Sequence, residues 1–465
     1  MSTAELPRMM DLGETDLGVM RLSGGARVTD PAIAASYAVD ASLGSTAPDH
    51  FTVVRARDVG DVVEVLREAH ARGIPVVPQG ARTSLAGGAT AREGSIVLNV
   101  EGLDTVAEVD ELEGYAVAGP GVVNQDLKRA AASVGLFYPP DPASSATCTI
   151  GGNVATNAGG LCCVKYGVTA DYVKSLEIVL PGGEVVRTGH RTGKGVAGLD
   201  LTGLFVGSEG TLGLVTSVVV RLVPAPDPSL VALATFASLD AAAAGVVALR
   251  RDRHRPALLE FLDRATIVAV QAVADYGFPQ ACAAALIVSS DRPEHTRDDV
   301  QRYAGLLGEA GAVDVAVADD QQEADALMAG RRAVNNALEA KGGRFVEDVC
   351  VPLGRLADLI RAGEEISSRR GVEMTMSGHG GDGNLHPCVF FDRADPESRL
   401  RAEAAFADLV DVALAMGGTI TGEHGVGSLK REFLVQELGP AEIARQRAVK
   451  AVFDPRGIMN PGVVY

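Results

Sequence analysis

The segment Ile150-Gly-Gly-Asn-Val-Ala-Thr-Asn-Ala-Gly-Gly160 is one of four small-residue segments in the N-terminal half of the chain. The others are Pro78-Gln-Gly-Ala-Arg-Thr-Ser-Leu-Ala-Gly-Gly88, Pro139-Pro-Asp-Pro-Ala-Ser144 and Gly207-Ser-Glu-Gly-Thr-Leu-Gly213. Glycine permits positive φ angles and close backbone approach, so such loops can present convergent N–H groups to a pyrophosphate. One segment alone would usually be a tight turn. Four together predict a site for a large, extended, phosphate-bearing cofactor.

The two commonest nucleotide motifs do not occur. No G-x-G-x-x-G follows a strand to open a helix, and no G-x-x-x-x-G-K-[ST] is found. The sequence therefore supports neither a Rossmann dinucleotide site nor a P-loop.

Periodicity and proline placement predict the domain organisation. Residues 51–55 and 74–78 read as strands on either side of a helix that Asp58 caps and Gly73 closes, which makes a βαβ unit. Pro224-Ala-Pro-Asp-Pro228 predicts a linker, because alternate prolines favour extended backbone. We therefore expect an N-terminal segment (1–45), a first domain (46–225) and a second domain (226–465).

The four segments, together with Asn460-Pro461-Gly462, resemble the FAD-binding domain of the vanillyl-alcohol oxidase / p-cresol methylhydroxylase flavoproteins. The resemblance covers about residues 40–465 and implies an α+β chain. The implied chain has a PCMH-type FAD-binding domain of two α/β subdomains. A C-terminal α+β substrate domain follows it, and the last segment of that domain returns to the flavin. The implied cofactor-binding residues are Pro78, Gly80, Ala81, Arg82, Thr83, Ser84, Gly87, Gly88, Pro142, Ser144, Gly151, Gly152, Asn153, Thr156, Asn157, Gly159, Gly160, Gly167, Glu209, Gly210, Gly213 and Asn460.

Two details of the first loop bear on how FAD is held. Some relatives attach FAD covalently through a histidine in this loop, and residues 76–88 contain none, so we expect a non-covalent flavin. Arg82 stands where the family usually has glycine. It either places a cation near the phosphates or faces solvent.

Composition bounds the partners and the compartment. The 465 residues include 42 Lys+Arg and 60 Asp+Glu, so the net charge is 42 − 60 = −18, which opposes nucleic-acid binding. No apolar stretch is long enough to span a bilayer, and residues 1–18 do not read as a signal peptide. Six cysteines without a CxxC pair fit a reducing compartment, so we expect a cytoplasmic protein.

Two C-terminal motifs predict a metal site. In Ser377-Gly-His-Gly-Gly-Asp-Gly-Asn-Leu-His386, an Asp-Gly turn would place His379 opposite His386, close enough for both imidazoles to reach one metal ion. In Gly422-Glu-His-Gly425, adjacent Glu423 and His424 point to opposite sides of an extended segment. One can therefore complete a two-His, one-carboxylate ligand set while the other contacts substrate.

These motifs resemble the branch that contains D-lactate dehydrogenase, the glycolate oxidase flavin subunit and D-2-hydroxyglutarate dehydrogenase. The resemblance implies that His379, His386 and Glu423 hold a divalent metal, with zinc as the expected ion, and that His424 is the base. Asn384 belongs to the same catalytic motif. The resemblance also implies hydride transfer from a D-2-hydroxy acid to flavin N5, which gives a 2-oxo acid. Met328-Ala-Gly-Arg-Arg332 resembles the segment that clamps the substrate carboxylate, with Arg331 as the clamp and Arg332 facing solvent.

Several alternatives stay open. Dicarboxylate-using relatives have a lysine before the Asp-x-x-x-Pro segment, and residues 344–352 have none, which favours D-lactate or glycolate over D-2-hydroxyglutarate. An aromatic alcohol oxidase of the same fold would not need the metal set. A metal-dependent hydrolase and a non-catalytic flavin-binding subunit are the rivals of another class. The electron acceptor (a quinone, a cytochrome, an electron-transfer flavoprotein, an iron–sulfur subunit or oxygen) and a homodimeric state also stay open.

Overall fold

The structure is a computed structural model that describes residues 21–465. The prediction about a signal peptide falls on residues outside this range, as does the first part of the predicted N-terminal segment. Within the described range no helix combines the length and the apolar character needed to cross a membrane.

The first subdomain is a small sheet with one long helix packed against it. Its elements are β1 (Ala26–Val28), α1 (Pro31–Ala35), β2 (Phe51–Arg55), α2 (Val59–Arg72), β3 (Val76–Gln79) and β4 (Ser95–Asn99). The strand order is β1-β2-β4-β3, with β2, β4 and β3 parallel. The predicted βαβ unit is confirmed: Asp58 caps α2 by accepting from the N–H of Asp61, and Gly73 ends it at φ 69°.

The second subdomain is an antiparallel sheet in the order β5-β6-β10-β8-β9. Its elements are β5 (Val106–Asp110), β6 (Tyr115–Ala118), α3 (Asn124–Ala132), β7 (Leu136–Phe137), α4 (Ile150–Thr156), α5 (Cys163–Tyr166), β8 (Val173–Val179), β9 (Val185–Gly189), α6 (Leu201–Phe205), β10 (Leu214–Arg221) and β11 (Val223–Pro224). β11 pairs with β7, so the predicted linker begins within a short strand pair. Pro224 is tolerated there because this two-stranded ladder has free edges.

The segment 150–160, which we expected to be only a loop, contains a helix. Thr149 caps α4 by accepting from the N–H of Gly152, and Asn157 ends the helix in the left-handed region at φ 51°. Ile150 and Val154 lie on one face and are buried in the core of the second subdomain. Tertiary packing of this face offsets the poor helix propensity of the two glycines.

The C-terminal half is a three-layered domain around a large antiparallel sheet. Its elements are β12 (Leu230–Phe236), α7 (Leu239–Arg251), β13 (Leu258–Asp263), α8 (Arg264–Gln271), β14 (Ala284–Ser290), α9 (Thr296–Glu309), β15 (Ala312–Val317), α10 (Gln321–Glu339), β16 (Gly343–Val346), β17 (Val349–Cys350), α11 (Leu356–Arg370), β18 (Met374–His379), β19 (Asn384–Phe391), α12 (Pro396–Ala415) and α13 (Arg431–Phe453). The strand order is β15-β12-β14-β13-β18-β19-β16, with β17 paired to β19. Alternate residues of the central strands enter two cores, one with α7, α9, α11 and α12 and the other with α8 and α10.

The last part of the chain returns to the first subdomain. α13 is interrupted at Gly439, which precedes Pro440 and has the non-helical angles φ 77° and ψ 162°, a positive-φ conformation that favours glycine. After α13, Met459 forms a bridge with Val76 of β3, and Ile458 and Met459 enter the core of the first subdomain. The mixed α and β architecture that we expected is confirmed.

Candidate active site

A cavity of about 400 Å³ lies where the four small-residue segments meet residues 422–425. Glu423 and His424 line one part of it. Most of the predicted cofactor residues also line it, namely Pro78, Gly80, Ala81, Arg82, Thr83, Ser84, Gly88, Pro142, Ser144, Gly151, Gly152, Asn153, Thr156, Gly159, Glu209, Gly210 and Gly213. The fold therefore brings four distant segments to one cleft, next to the histidine–glutamate motifs.

The chemistry of the cavity wall suits FAD. A Cβ on Gly80 would lie 2.3 Å from Thr149 Oγ1, and a Cβ on Gly151 would lie 2.5 Å from the Pro120 Cβ, so the wall requires glycine at both positions. Gln79 Oε1 and Asn153 Nδ2 are buried without a hydrogen-bond partner, and both residues line the cavity. Orphaned polar atoms of this kind are expected where a polar ligand completes the hydrogen bonding.

Five predicted cofactor residues do not line the cavity: Gly87, Asn157, Gly160, Gly167 and Asn460. Two of them have visible structural roles. Asn460 donates its amide to the carbonyl oxygens of Gly88 and Glu209, at 2.9 and 2.7 Å, and so ties the C-terminal segment to two cavity loops. Asn157 ends α4 and accepts from the N–H of Ala170. These contacts support the loops that form the wall.

Arg82 stands in the wall at a left-handed backbone position. Its φ is 59°, which explains why glycine is the usual residue there in the family that the sequence resembles. The guanidinium stacks 4.4 Å from the centre of the Tyr37 ring, and Nη1 lies 3.5 Å from Glu101 Oε2. The side chain is therefore held against the protein at the cavity edge and does not simply face solvent.

The two predicted histidine ligands meet, although the hairpin register differs from the predicted one. The predicted two-residue turn would pair His379 with His386, whereas β18 and β19 pair His379 with Asn384. Residues 380–383 form a four-residue connection, because the loop packs against β17 and the N–H of Val351 donates to the carbonyl of residue 383. The His386 ring reaches diagonally across the ladder, so the two Nε2 atoms still lie 3.3 Å apart.

His379, His386 and Glu423 form a compact ligand triangle. Glu423 Oε1 lies 3.3 Å from His379 Nε2 and 3.2 Å from His386 Nε2. A tetrahedral ion with bonds of about 2.0 Å has ligand atoms about 3.3 Å apart, so three donors at these separations can share one face of such a site. The donor set and its spacing fit a divalent cation.

His379 is held by a second carboxylate behind it. Glu260, fully buried in β13, accepts from His379 Nδ1 at 2.6 Å and from Arg331 Nε at 2.5 Å. Burial lowers the pKa of His379, but the carboxylates of Glu260 and Glu423 outweigh it and hold that pKa well above its usual range. Burial likewise raises the pKa of Glu423, and His379 and His386 bring it well below its usual range. The carboxylates of Glu260 and Glu423 therefore favour positive charge in the pocket, and a bound cation can supply it.

A buried aspartate shapes the loop that carries Glu423 and His424. Asp348 Oδ2 accepts from the backbone N–H groups of residues 422, 423 and 424 at 2.8 to 2.9 Å, and from Thr421 Oγ1 at 2.7 Å. The His424 ring stacks on His386 with centroids 4.9 Å apart and planes 10° apart. Burial lowers the pKa of His424 to about 4, so the ring is neutral near pH 7 and one of its nitrogens keeps a lone pair.

The other two predicted catalytic residues lie beside this cluster. Asn384 is buried, its Oδ1 has no partner, and a Cβ on Gly422 would touch its amide group. Arg331 belongs to α10 and already binds Glu260, whereas Arg332 is exposed and binds Asp325. The structure thus separates the two arginines as we expected.

Sequence reasoning missed Glu260 and Asp348. Glu260 interrupts the otherwise apolar run Leu258-Leu-Glu-Phe-Leu262, and a charge in a buried strand is a usable signal. Asp348 lies in the segment that we searched for a lysine, but nothing in its neighbours indicates that it contacts residues 422–424.

The comparisons with known proteins agree with this geometry. Residues 52–189 match the family model "FAD binding domain", and residues 225–464 match "FAD linked oxidases, C-terminal domain". The chain is 41% identical to glycolate oxidase subunit GlcD of Bacillus subtilis over 89% of this chain and 88% of that one. It is 33% identical to a D-lactate dehydrogenase of Anaerostipes hadrus over 91% of each chain.

A solved structure shows the same fold. p-Cresol methylhydroxylase with bound substrate superposes with a TM-score of 0.77 at 19% identity, over 94% of this chain and 93% of that one. The chain therefore belongs to the FAD-linked oxidase family, and it is an FAD-linked oxidoreductase related to glycolate oxidase subunit GlcD and to D-lactate dehydrogenase.

Proposed function

We propose that this oxidoreductase converts a small D-2-hydroxy acid, D-lactate or glycolate, into the 2-oxo acid with non-covalent FAD and a divalent metal. The observation that carries the proposal is the triangle of His379, His386 and Glu423 beside His424 at the FAD cavity. An alcohol oxidase without a metal would not need this set, and the similarity to glycolate oxidase and D-lactate dehydrogenase points to the same substrate class.

FAD and a divalent cation would supply chemistry that amino-acid side chains do not provide. Bound FAD offers a two-electron acceptor for the α-hydrogen, and a bound divalent cation lowers the pKa of a hydroxyl that it contacts. Covalent attachment of flavin needs a nucleophilic side chain. Among the described residues that line the cavity there is no Cys or Tyr, and the one histidine is His424. This supports a flavin held by non-covalent contacts.

The protein's own residues orient the substrate and move one proton. His424 is the base: its ring is buried, neutral and next to the ligand triangle, so it can take the hydroxyl proton as the carbonyl forms. Arg331 binds the substrate carboxylate through the guanidinium nitrogens that do not contact Glu260. Loss of that proton and of one hydride from the α-carbon gives the 2-oxo acid, which balances the reaction.

The substrate is small and carries one carboxylate. Residues 344–352 have no lysine to bind a second carboxylate, and Glu347 in this stretch pairs with Lys430 at 3.4 Å. We therefore propose D-lactate or glycolate as substrate and place D-2-hydroxyglutarate second. Reoxidation of the flavin by a separate protein is consistent with the name of the Bacillus relative, which is a subunit.

Anaerobic flavin reduction tests the proposal. The purified holoenzyme is mixed with D-lactate, glycolate or D-2-hydroxyglutarate, and the visible flavin absorption is followed. Bleaching by the first two acids is expected, whereas flavin that stays oxidised with all three acids would refute the proposal. Acid precipitation should release the flavin into the supernatant if it is bound without a covalent link.

His424→Gln tests the base. This variant should keep flavin and metal but reduce flavin about 10²- to 10⁴-fold more slowly, because a positioned base contributes about that factor. His190→Gln is the matched control, because His190 is exposed and is far in sequence from the cluster of His379, His386 and Glu423. Unchanged reduction by His424→Gln would assign the proton to another group.

The metal needs its own measurement. Elemental analysis should find about one zinc or other divalent ion per chain, and dialysis against a chelator should abolish flavin reduction while the flavin stays bound. Readdition of the ion should restore the rate. A metal-free protein with full activity would remove the metal from the proposal.

A further inference from the structure

Positive charge is concentrated in one short segment of this acidic protein. Residues 250–255, Arg-Arg-Asp-Arg-His-Arg, contain four arginines and one aspartate, although the whole chain has a net charge of −18. No other six consecutive residues of the sequence contain more than three lysines and arginines. The segment begins at the end of α7 and leads towards β13, the strand that carries Glu260.

The arginines of this segment reach the surface, whereas its carboxylate is buried. Arg251, Arg253 and Arg255 are exposed, and their side chains form no hydrogen bond or ion pair with any residue in the range 21–465. Asp252 binds Arg302 of α9 at 2.5 Å. The Asp252 side chain is 3% exposed and that of Arg302 is 49% exposed, so the positive end of this pair faces the solvent.

A second ion pair beside the segment is arranged in the same way. Asp299 of α9 is 3% exposed and binds Arg292, whose side chain is 36% exposed, at 2.6 Å. α9 packs against the segment, because the Tyr303 hydroxyl donates to the carbonyl of His254 at 3.1 Å. One exposed carboxylate, Asp298, lies near Arg292. Five arginines nevertheless present their guanidinium groups on one surface, which we call the arginine patch: Arg251, Arg253, Arg255, Arg292 and Arg302.

The short helix α5 connects the arginine patch to the candidate active site. On the side of the patch, Arg250 Nη1 donates to the carbonyl of Val164 at 3.5 Å. Lys165 binds Asp291, which is the residue before Arg292. Two contacts therefore fix α5 to the inner edge of the patch.

The other side of α5 contacts the metal-ligand triangle and the cavity. Gly159 lines the cavity, and a Cβ on it would lie 2.6 Å from Glu423 Oε2 and 3.3 Å from Cys163 Sγ. A Cβ on Gly381 would lie 2.6 Å from Val164 Cγ2. The rate of electron transfer falls steeply with distance, so a protein that takes electrons from the flavin has to dock close to the cavity. A protein bound at the inner edge of the patch is separated from the cavity by one short helix.

The charge of the patch indicates which kind of partner fits it. A cluster of arginines attracts a surface rich in carboxylates and speeds up its association. A second copy of this chain in a two-fold pair would bring the same arginines face to face, which is unfavourable. A neutral quinone or oxygen gains nothing from the charge. The patch therefore fits an acidic protein.

We propose that the arginine patch is the docking site of an acidic electron-carrier protein that reoxidises the flavin. A carrier with one haem or iron–sulfur centre takes one electron. Two carriers are therefore reduced for each hydroxy acid oxidised, and the protons pass to solvent as the flavin returns to its oxidised form. This inference rests on the proposed function, which leaves the flavin reduced. It goes further by assigning the surface at which the electrons leave and the charge of the partner.

A triple variant tests the docking site. Arg251→Gln, Arg253→Gln and Arg255→Gln together remove three charges without breaking an ion pair. The holoenzyme is reduced anaerobically with D-lactate or glycolate and mixed at low salt with oxidised cytochrome b5, a haem protein with an acidic surface. We expect the triple variant to reduce the haem about tenfold or more slowly than wild type, because charged surfaces raise association rates by about 10- to 10³-fold. Flavin reduction by the hydroxy acid and reoxidation by a small neutral quinone should be unchanged.

A second triple variant controls for the overall charge. Arg129→Gln, Arg187→Gln and Arg445→Gln remove the same charge from exposed positions on α3, β9 and α13. This variant should reduce cytochrome b5 faster than the patch variant does. The difference between wild type and the patch variant should disappear in about 1 M NaCl, where the Debye length is about 3 Å.

Several results would overturn the proposal. The first is equal haem reduction by wild type and the patch variant at low salt, including none by either protein. Equal slowing of both triple variants would mean that net charge, and not the patch, governs the rate. Slower flavin reduction by the hydroxy acid in the patch variant would mean that the patch acts on the substrate. Binding to phosphatidylserine vesicles that only the patch variant loses, with unchanged haem reduction, would assign the patch to a lipid surface.

Two measurements keep this test separate from folding and from the proposed function. In wild type alone, haem reduction should slow as salt is added while reoxidation by the neutral quinone does not, and a salt-independent rate with cytochrome b5 would refute the inference even if the variants fail to fold. If no hydroxy acid reduces the flavin, the proposed function fails. Photoreduction of the bound flavin then replaces the substrate, and the comparison of wild type with the patch variant still judges the docking site.

Discussion

Arg331 is bound to a carboxylate of the protein before any substrate enters, and a substitution can test whether it also binds the substrate. Its Nε contacts the buried Glu260, and only 15% of the side chain is exposed. Lysine keeps the charge but has no planar fork with which to bind Glu260 and a substrate carboxylate together. We expect Arg331→Lys to raise the KM for D-lactate or glycolate about tenfold or more, a loss of about 1.4 kcal/mol in binding.

Arg332→Lys is the matched control for this prediction. Arg332 is the next residue of the same helix, and 53% of its side chain is exposed where it pairs with Asp325. Steady-state kinetics should give a KM within twofold of wild type. Equal effects of the two substitutions would argue that Arg331 is not the clamp.

Residue types and spacing predicted the members of the ligand triangle, but not the residues that hold them. His379, His386 and Glu423 belong to short motifs whose composition is visible in one chain. Glu260, in contrast, contacts His379 across 119 residues of sequence. That contact exists because β13 lies next to β18, and strand order in a sheet of this size is set by tertiary packing, which local patterns do not encode.

The two neighbouring glycines of α4 allow a matched pair of substitutions. A Cβ on Gly151 would lie 2.5 Å from the Pro120 Cβ and 3.0 Å from its carbonyl oxygen, whereas the nearest atom to a Cβ on Gly152 is Thr149 Oγ1 at 3.4 Å. Both changes raise helix propensity by about 1 kcal/mol. We expect Gly151→Ala to lower stability by about 1–3 kcal/mol net, because overpacking costs more than the propensity gains.

Gly152→Ala should leave the thermal midpoint of the flavin-free protein unchanged or slightly higher. Differential scanning fluorimetry of both variants, without and with added FAD, measures the contrast. Because Gly152 lines the cavity, a smaller FAD-induced shift in this variant would agree with a flavin close to α4. Equal midpoints for both variants would show that Pro120 can move aside.

Periodicity and capping residues predicted the βαβ unit of residues 51–78, and the elements that they did not predict have physical causes. α4 contains two glycines, so its local preference favours a loop and only packing makes it helical. α13 was missed because Gly439-Pro440 interrupts it, and a proline normally marks the end of a helix. The hairpin register of β18 and β19 was wrong because the loop packs on β17, a contact that the turn residues alone do not reveal.

One loop, residues 422–427, joins the two halves of the molecule at the site. Asp348 of the C-terminal half accepts from the N–H groups of residues 422–424. Glu209 of the FAD-binding half, 217 residues away from Val426 in sequence, accepts from Val426 and Gly427 at 2.8 Å each. In a chain of net charge −18, these N–H groups offset part of the cost of burying the two carboxylates. The loop between them carries Glu423 and His424 to the cavity wall.

The buried Glu209 carboxyl leads us to predict that the stability of the protein depends on pH. Burial raises its pKa to about 7, against the lowering effect of the Val426 and Gly427 N–H groups, and the unfolded value is 4.5. The folded state binds the Glu209 proton more tightly than the unfolded state does. Proton binding therefore stabilises the fold fully below pH 4.5, and this stabilisation is lost as the pH rises through about 7. The loss is about 3 kcal/mol. Glu209→Gln removes the titration, so its thermal midpoint should fall less between pH 5 and pH 8, by roughly 3 °C relative to wild type. Glu309→Gln, at an exposed position that ends α9, should keep the wild-type pH dependence. Identical pH dependence in wild type and Glu209→Gln would show that Glu209 does not titrate in this range, and that the N–H groups of the loop keep it ionised throughout.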